Sequence, residues 1–234
     1  MAKKYYFINT CTIDYYLLAL WWSSVHSKNV IKYFEKNSNE NITKIIDNIN
    51  KHQWNRAKTI WTFNVCRRQS DSNKISFFGT EYEFFSKHLA EMQRYKRLEN
   101  CLTCGFDSSP REQNYLYFDE FVGKIVINIQ KPKACKTCKN EMNVDFQFLN
   151  DFPCWLIIEV EYSLQLTVQE LPKSLFLKDK TYKLLCATFN NNLAHFLAIF
   201  IINGEFYQVD DRNPRICDKR IPNKRINTCF YYLE

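Results

Sequence analysis

Hydrophobic positions over the first sixty residues recur at helical spacing. Ile13, Tyr16, Leu17, Leu20 and Trp21 fall on one period in "CTIDYYLLALWW", and "NVIKYFEK" and "ITKIIDNINKH" continue it between polar breaks. Residues 11 to 60 therefore read as helical. "RRQSDSNK" (67 to 74) is a loop, and "TEYEFFSKHLAEMQRY" is a further helix with Phe84, Phe85, His88 and Leu89 on its apolar side. From about residue 100 the apolar runs shorten. "YLYFDEF", "KIVINI", "VDFQFL", "WLIIEVEY", "YKLLCATF", "HFLAIFII", "EFYQV" and "CFYYL" all read as strands. Helices first and strands second predict an α+β arrangement, with a cleft between the two halves.

Composition narrows the picture. The 234 residues are 46% hydrophobic and 16% aromatic, which excludes a disordered chain, and only four glycines argue against a sandwich of many tight turns. The net charge of +7 is spread along the chain without a Lys/Arg block, so an acidic partner surface fits better than nucleic acid. No secretory signal follows Lys3 and Lys4, and the run "FLAIFIING" is too short to span a bilayer. The expectation is a soluble monomer of a reducing compartment, cytoplasmic or nuclear, with no membrane partner.

The cysteines carry chemistry at two levels. Cys101 and Cys104 ("CLTC") and Cys135 and Cys138 ("CKTC") form two Cys-x-x-Cys knuckles, the spacing that supplies four thiolates to tetrahedral zinc. With no position left open, such a zinc is structural; the bland reading is four unligated or disulfide-bonded thiols. Gly105 and the nearby lysines suit the knuckle turns, and the segment between the pairs should form a hairpin of its own. Cys66, Cys154, Cys186, Cys217 and Cys229 stand singly. So does Cys11, at the start of the first helix. There unpaired N–H groups and the helix dipole should lower a thiol pKa, with Asn9 or Thr10 as cap, although a buried structural thiol is the commoner fate of a lone cysteine.

A hairpin late in the chain offers a partner. Asn203-Gly204 between alternating apolar runs pairs Ile202 with Glu205, and stepping outward pairs Leu197 with Asp210 and Phe196 with Asp211. His195 shares a face with Leu197, hence with Asp210, whereas Asp211 should point the other way. A histidine beside a carboxylate is how an imidazole base is oriented, although an ordinary histidine near a solvated acidic end would look the same. His26, His52 and His88 are weaker candidates on helix surfaces.

With these motifs in order, the chain resembles the ubiquitin-specific proteases along nearly its whole length. "NTCTIDYYLLAL" is similar to their cysteine box, Asn-Thr-Cys-x-x-Asn-x-Leu-Leu-x-Ala-Leu, and "YEFFSKHL" to the Glu-Phe-Leu segment of the second box. The Cys-x-x-Cys pairs resemble the fingers, "FPCWLIIEVE" the strand after them, "YKLLCATFNNNLAHFLAIFIINGEFYQVDD" the histidine box, and "TCFYYLE" the closing strand. Asp14 three residues after the cysteine, His195-Phe196, and Asp210-Asp211 followed by Pro214 resemble most the SUMO isopeptidase-like branch.

The resemblance implies a papain-like cysteine protease fold. It would have a helical half (1–98), a reduced zinc-ribbon fingers insertion (99–150) and a sheet half (151–234). It implies Cys11 as nucleophile, His195 as general base and acid, Asp210 as orienting carboxylate, and structural zinc on Cys101, Cys104, Cys135 and Cys138. The activity implied is isopeptidase cleavage after the Gly-Gly of SUMO or ubiquitin in their conjugates, SUMO slightly favoured. Glu83, Glu159 and Glu161 are candidates for the modifier's tail, and Asn9 and Asp211 for oxyanion or supporting roles. Two departures stand out: Tyr6 occupies the family's oxyanion-donor asparagine position, and Thr80 that of an acidic residue expected three before Glu83. The alternatives are an inactive modifier-binding relative and a zinc-ribbon nucleic-acid module.

Overall fold

The computed structural model describes residues 4–37, 40–190, 195–213 and 223–234; Cys217 and Pro214 lie outside them. The helical period yields α1 (Cys11–His26), α2 (Lys28–Asn37), α3 (Glu40–Asn50) and α4 (Trp54–Ile60), with further helical turns at Trp61–Val65 and over 82–93. Among the described residues, no helix is long and apolar enough to cross a membrane.

Thirteen strands are described. β1 (Tyr6–Ile8) and β2 (Lys74–Ser76) form a small parallel pair inside the helical half. β3 (Tyr95–Asn100), β4 (Arg111–Gln113) and β7 (Asn143–Phe148) form a three-stranded antiparallel sheet that carries the cysteine knuckles. The remainder build one eight-stranded sheet: β5 (Leu116–Phe121), β6 (Lys124–Ile127), β8 (Trp155–Val160), β9 (Ser174–Leu177), β10 (Lys180–Asn190), β11 (Phe196–Ile202), β12 (Glu205–Val209) and β13 (Ile226–Leu233). Its order is β12-β11-β10-β13-β8-β5-β6, with β9 also on β10, and only β5–β8 is parallel.

The central strands are apolar throughout because both faces are covered. Along β8, Trp155 and Ile157 face the helices while Leu156, Ile158 and Val160 face away; along β11, Ala198 and Phe200 oppose Leu197 and Ile199. The first set packs on α1 through Ile13, Tyr16, Leu17 and Leu20, which are fully buried. The second lies under Leu166, Val168 and Leu171 and under Tyr95, Phe146 and Phe148 from the small sheet. The fold is α+β as expected, and every strand read from the sequence is present.

Strands β1 to β4 and β9 went unread. They are three to six residues long, and Lys74–Ser76, Arg111–Gln113 and Ser174–Leu177 carry too few alternating apolar positions to register. The segment between the cysteine pairs does form a hairpin, β5–β6, turned by Val122 (φ 51°) and Gly123 (φ 70°). That hairpin does not stay in the fingers. Leu116 and Phe118 pair with β8 and bury in the second core, so the expected 99–150 insertion is shared between two sheets.

Candidate active site and metal centre

The turn Asn203-Gly204, with φ of 53° and 83°, sets the hairpin register as read: Ile202 opposes Glu205, and pairing runs out to Ala198 opposite Val209. There β12 ends, and strand parity ends with it. Asp210 and Asp211 lie in the turn beyond, and both approach His195. The His195 Nε2 to Asp210 Oδ1 distance is 2.8 Å, and to Asp211 Oδ1 3.5 Å. The expectation that Asp211 points away is corrected: alternation holds only while the chain remains a strand.

Asp210 is further held by the Arg212 N–H at 2.9 Å and Asn213 Nδ2 at 3.2 Å. Burial would raise its carboxyl, but the hydrogen bonds from His195, Arg212 and Asn213 outweigh it and hold the group below the usual carboxylate range. His195 is itself buried, 6% exposed.

Cys11 begins α1 and is 5% exposed, in contact with Phe196, the residue after His195. Its thiol is raised above the ordinary value, not lowered. Burial dominates, and the Asp211 and Glu81 charges add to it, against the Phe196 N–H and Arg212, which favour the thiolate. A helix N-terminus lowers a thiol pKa when the sulfur is partly solvated; desolvation here is the larger effect.

The cap also differs from expectation. Thr10 is the N-cap residue but makes no side-chain cap bond. Its hydroxyl donates instead to Asp14 Oδ2 at 2.6 Å, and Lys58 Nζ reaches both the Thr10 hydroxyl and the Asp14 carboxylate. Asn9, at φ 54°, donates its side-chain amide to Ser76 Oγ on β2 at 3.0 Å, so that group is engaged away from Cys11. Tyr6 is 57% exposed.

A cleft of about 620 Å³ opens between the halves, lined by Thr80, Glu81 and Tyr82 on one side and by Glu159, Phe196 and Thr228 among others on the sheet side. Of the three acids read for the modifier's tail, Glu159 is in its wall and accepts a hydrogen bond from Tyr115 at 2.7 Å. Glu83 and Glu161 are exposed and outside that lining.

The acid that sequence reading missed is Glu81, 4% exposed. Tyr16 donates to its Oε1 at 2.8 Å and Thr228 to its Oε2 at 3.3 Å. The signal was available, since Glu81 directly follows Thr80, where an acid was sought. Burial raises its carboxyl to about 7 against those hydroxyl bonds. The sign is therefore destabilising: between pH 4.5 and about 7 the unfolded chain gives up this proton and the folded chain keeps it, so stability falls as pH rises. The cost at pH 8 is on the order of 3 kcal/mol. Glu81→Gln should melt several degrees above wild type at pH 8 and within a degree or two at pH 5, measured by calorimetry.

The four knuckle cysteines converge. All four sulfurs lie within 4.8 Å of one another, with Cys101–Cys138 at 3.4 Å and Cys104–Cys135 at 3.6 Å. Tetrahedral zinc with bonds of about 2.3 Å sets sulfurs about 3.8 Å apart, so the donor set fits. The knuckles are built alike. The Gly105 N–H returns to the Cys101 carbonyl and the Lys139 N–H to that of Cys135, both residues at positive φ (69° and 64°). Backbone N–H groups of Cys104 and Cys138 hold the Cys101 and Cys135 thiols below their usual range, Cys135 at about 6. All nine described cysteines are free thiols. The centre is a structural, closed zinc site.

The α+β fold thus sets a cysteine at the first turn of a buried helix against a His–Asp pair at the edge of the main sheet. No family model matches the chain, and no curated protein matches it in sequence. Among solved structures it is similar to the SAGA deubiquitinating module containing a Ubp8 variant with Sgf11, Sus1 and Sgf73, bound to monoubiquitin. That match has a TM-score of 0.57 and 11% identity, covering 100% of this chain and 69% of that one. A second structure of the module, with another Ubp8 variant, matches at a TM-score of 0.56 with the same identity and coverage. At such identity the likeness is one of fold.

Proposed function

We propose that the chain is a cysteine isopeptidase that releases a ubiquitin-like modifier by cleaving after its C-terminal Gly-Gly. The observation that carries this is the meeting of Cys11 with Phe196 beside a buried His195 whose Nε2 is engaged by Asp210. That bond assigns the proton exchange with Cys11 to the other ring nitrogen, Nδ1. Because the resting thiol is raised, Cys11 reacts by giving its proton to His195 as sulfur bonds to the glycine carbonyl carbon. The Cys11 N–H, with no carbonyl four residues back to bond, faces the developing oxyanion. His195 then protonates the departing lysine amine as the C–N bond breaks. It next takes a proton from the water that opens the thioester, releasing the modifier's carboxylate and the free thiol. Zinc takes no part in the chemistry.

SUMO and ubiquitin are the two candidate modifiers. The Asp14 and His195-Phe196 likeness favours SUMO; Glu159 and Glu81 in the cleft suit a basic tail. Matched SUMO and ubiquitin probes bearing a C-terminal thiol-reactive group test both: wild type should be captured by at least one, and capture of neither would sink the isopeptidase reading. Asp210→Ala should slow capture at least about tenfold more than Asp211→Ala, since Asp210 is 0.7 Å nearer to Nε2 (3.5 less 2.8 Å). The reverse order would overturn the assignment of the orienting carboxylate.

A further inference from the structure

One side chain outside the Cys11, His195 and Asp210 set touches both sides of the site. Tyr15 lies four residues after Cys11, one turn along α1, and so shares its face. It is 2% exposed. Its hydroxyl lies 2.9 Å from the Phe196 carbonyl oxygen and 3.1 Å from Asp211 Oδ1, and its single proton serves these two acceptors. The same oxygen accepts the Asp211 N–H at 3.1 Å. Burial raises the phenol further above its usual value, so it stays a donor across the working range.

The Phe196 main chain is therefore held by this helix face: its carbonyl accepts from Tyr15, and its N–H lies on the Cys11 side, where it favours the thiolate. Phe196 follows His195 directly, and Asp211 follows Asp210 directly. A single hydroxyl thus fixes, relative to the nucleophile, the strand start that carries the base and the turn that carries its carboxylate. These contacts bridge 181 and 196 positions of sequence. Strand pairing ties Phe196 only to Asn190 on β10, and β12 ends at Val209, so among the described residues no ladder partner links either segment to α1.

We infer that Tyr15 is a positioning residue of the active site, holding the His195-Phe196 and Asp210-Asp211 segments in register with Cys11. The inference rests on the isopeptidase reading for its role in turnover, but its geometry can be tested without substrate. In Tyr15→Phe, the grip on the Phe196 peptide loosens and the Phe196 N–H supports the thiolate less well. The pH profile of Cys11 alkylation by iodoacetamide should then move to higher pH by half a unit or more relative to wild type. With a captured modifier's conjugate as substrate, kcat should fall roughly 10- to 100-fold while KM changes less than threefold, the signature of misplaced reacting groups.

A purely structural hydroxyl would lower the melting temperature and leave both the alkylation profile and the kcat/KM split unmoved; that result overturns the inference. If Tyr15→Phe does not fold, amide exchange in wild type decides. The Asp211 N–H lies outside every strand and its partner is the Tyr15 hydroxyl, so it should exchange as slowly as core amides. Fast exchange at Asp211 overturns the inference. A shifted alkylation profile in a protein that captures neither modifier probe would refute the isopeptidase reading and leave the Tyr15 assignment standing.

Discussion

Cys11→Ala is expected to abolish capture of the modifier probe and to lower conjugate cleavage by at least about 10⁴-fold, with the fold intact. The size follows from the role. Without the sulfur there is no thioester, and the remaining groups can only position a substrate and polarise its carbonyl. The loss of packing is small: Cys11 is at the end of a helix, and alanine removes one sulfur from a site bounded by Phe196. Circular dichroism and melting should therefore change little. The other single thiols supply the control. Cys154, Cys186 and Cys229 are 0% exposed, and burial raises each well above the usual thiol range. If Cys11→Ala still forms a covalent adduct with the probe, the nucleophile has been misassigned.

The second large effect concerns the metal centre. The purified chain should carry one zinc, released on thiol modification and measured with a colorimetric chelator. Cys135→Ser should lose it. Apparent binding energies at structural four-cysteine sites are on the order of 10 kcal/mol, more than the small sheet can replace from its own packing. The buried cluster at the knuckles is little more than Cys101, Cys135 and Met142. Unfolding would not stop there, because Tyr95, Phe146 and Phe148 of β3 and β7 cover the second face of the main sheet. A drop of ten degrees or more in the melting temperature is expected. A metal-free protein as purified, or a Cys135→Ser variant that melts within a degree of wild type, would remove zinc from the account.

Much of this was legible because the relevant signals are periodic or local. The period of α1, the Cys-x-x-Cys spacing and the Asn203-Gly204 turn each depend on a few neighbouring residues, and the structure has them as read. What the sequence concealed depends on burial and on distant partners. The helix start at Cys11 was read as lowering the thiol pKa, but the cost of desolvation comes from burial in the folded core, which no neighbouring residue announces. Asp211 was read by strand parity, which lapses one residue after Val209. Glu81 looked like any acid at a helix start until Tyr16 and Thr228 enclosed it. Tyr15 is the fifth residue of an apolar helix, and nothing local marks its hydroxyl as the group that spans the site.

The order of the main sheet bears on when the site can exist. β13, the last strand in sequence, lies in the middle, between β10 and β8. Until it is inserted, the strands beside His195, β12-β11-β10, and the group β8-β5-β6 are two separate ribbons with no edge in common. The helix of the proposed nucleophile precedes its proposed base by most of the described chain, and the strand that joins the two ribbons comes later still. Contacts of such long range form slowly and late in folding. A chain still emerging from the ribosome would thus hold an exposed Cys11 with no base beside it. The proposed site would be assembled in one step, when the sheet closes around β13.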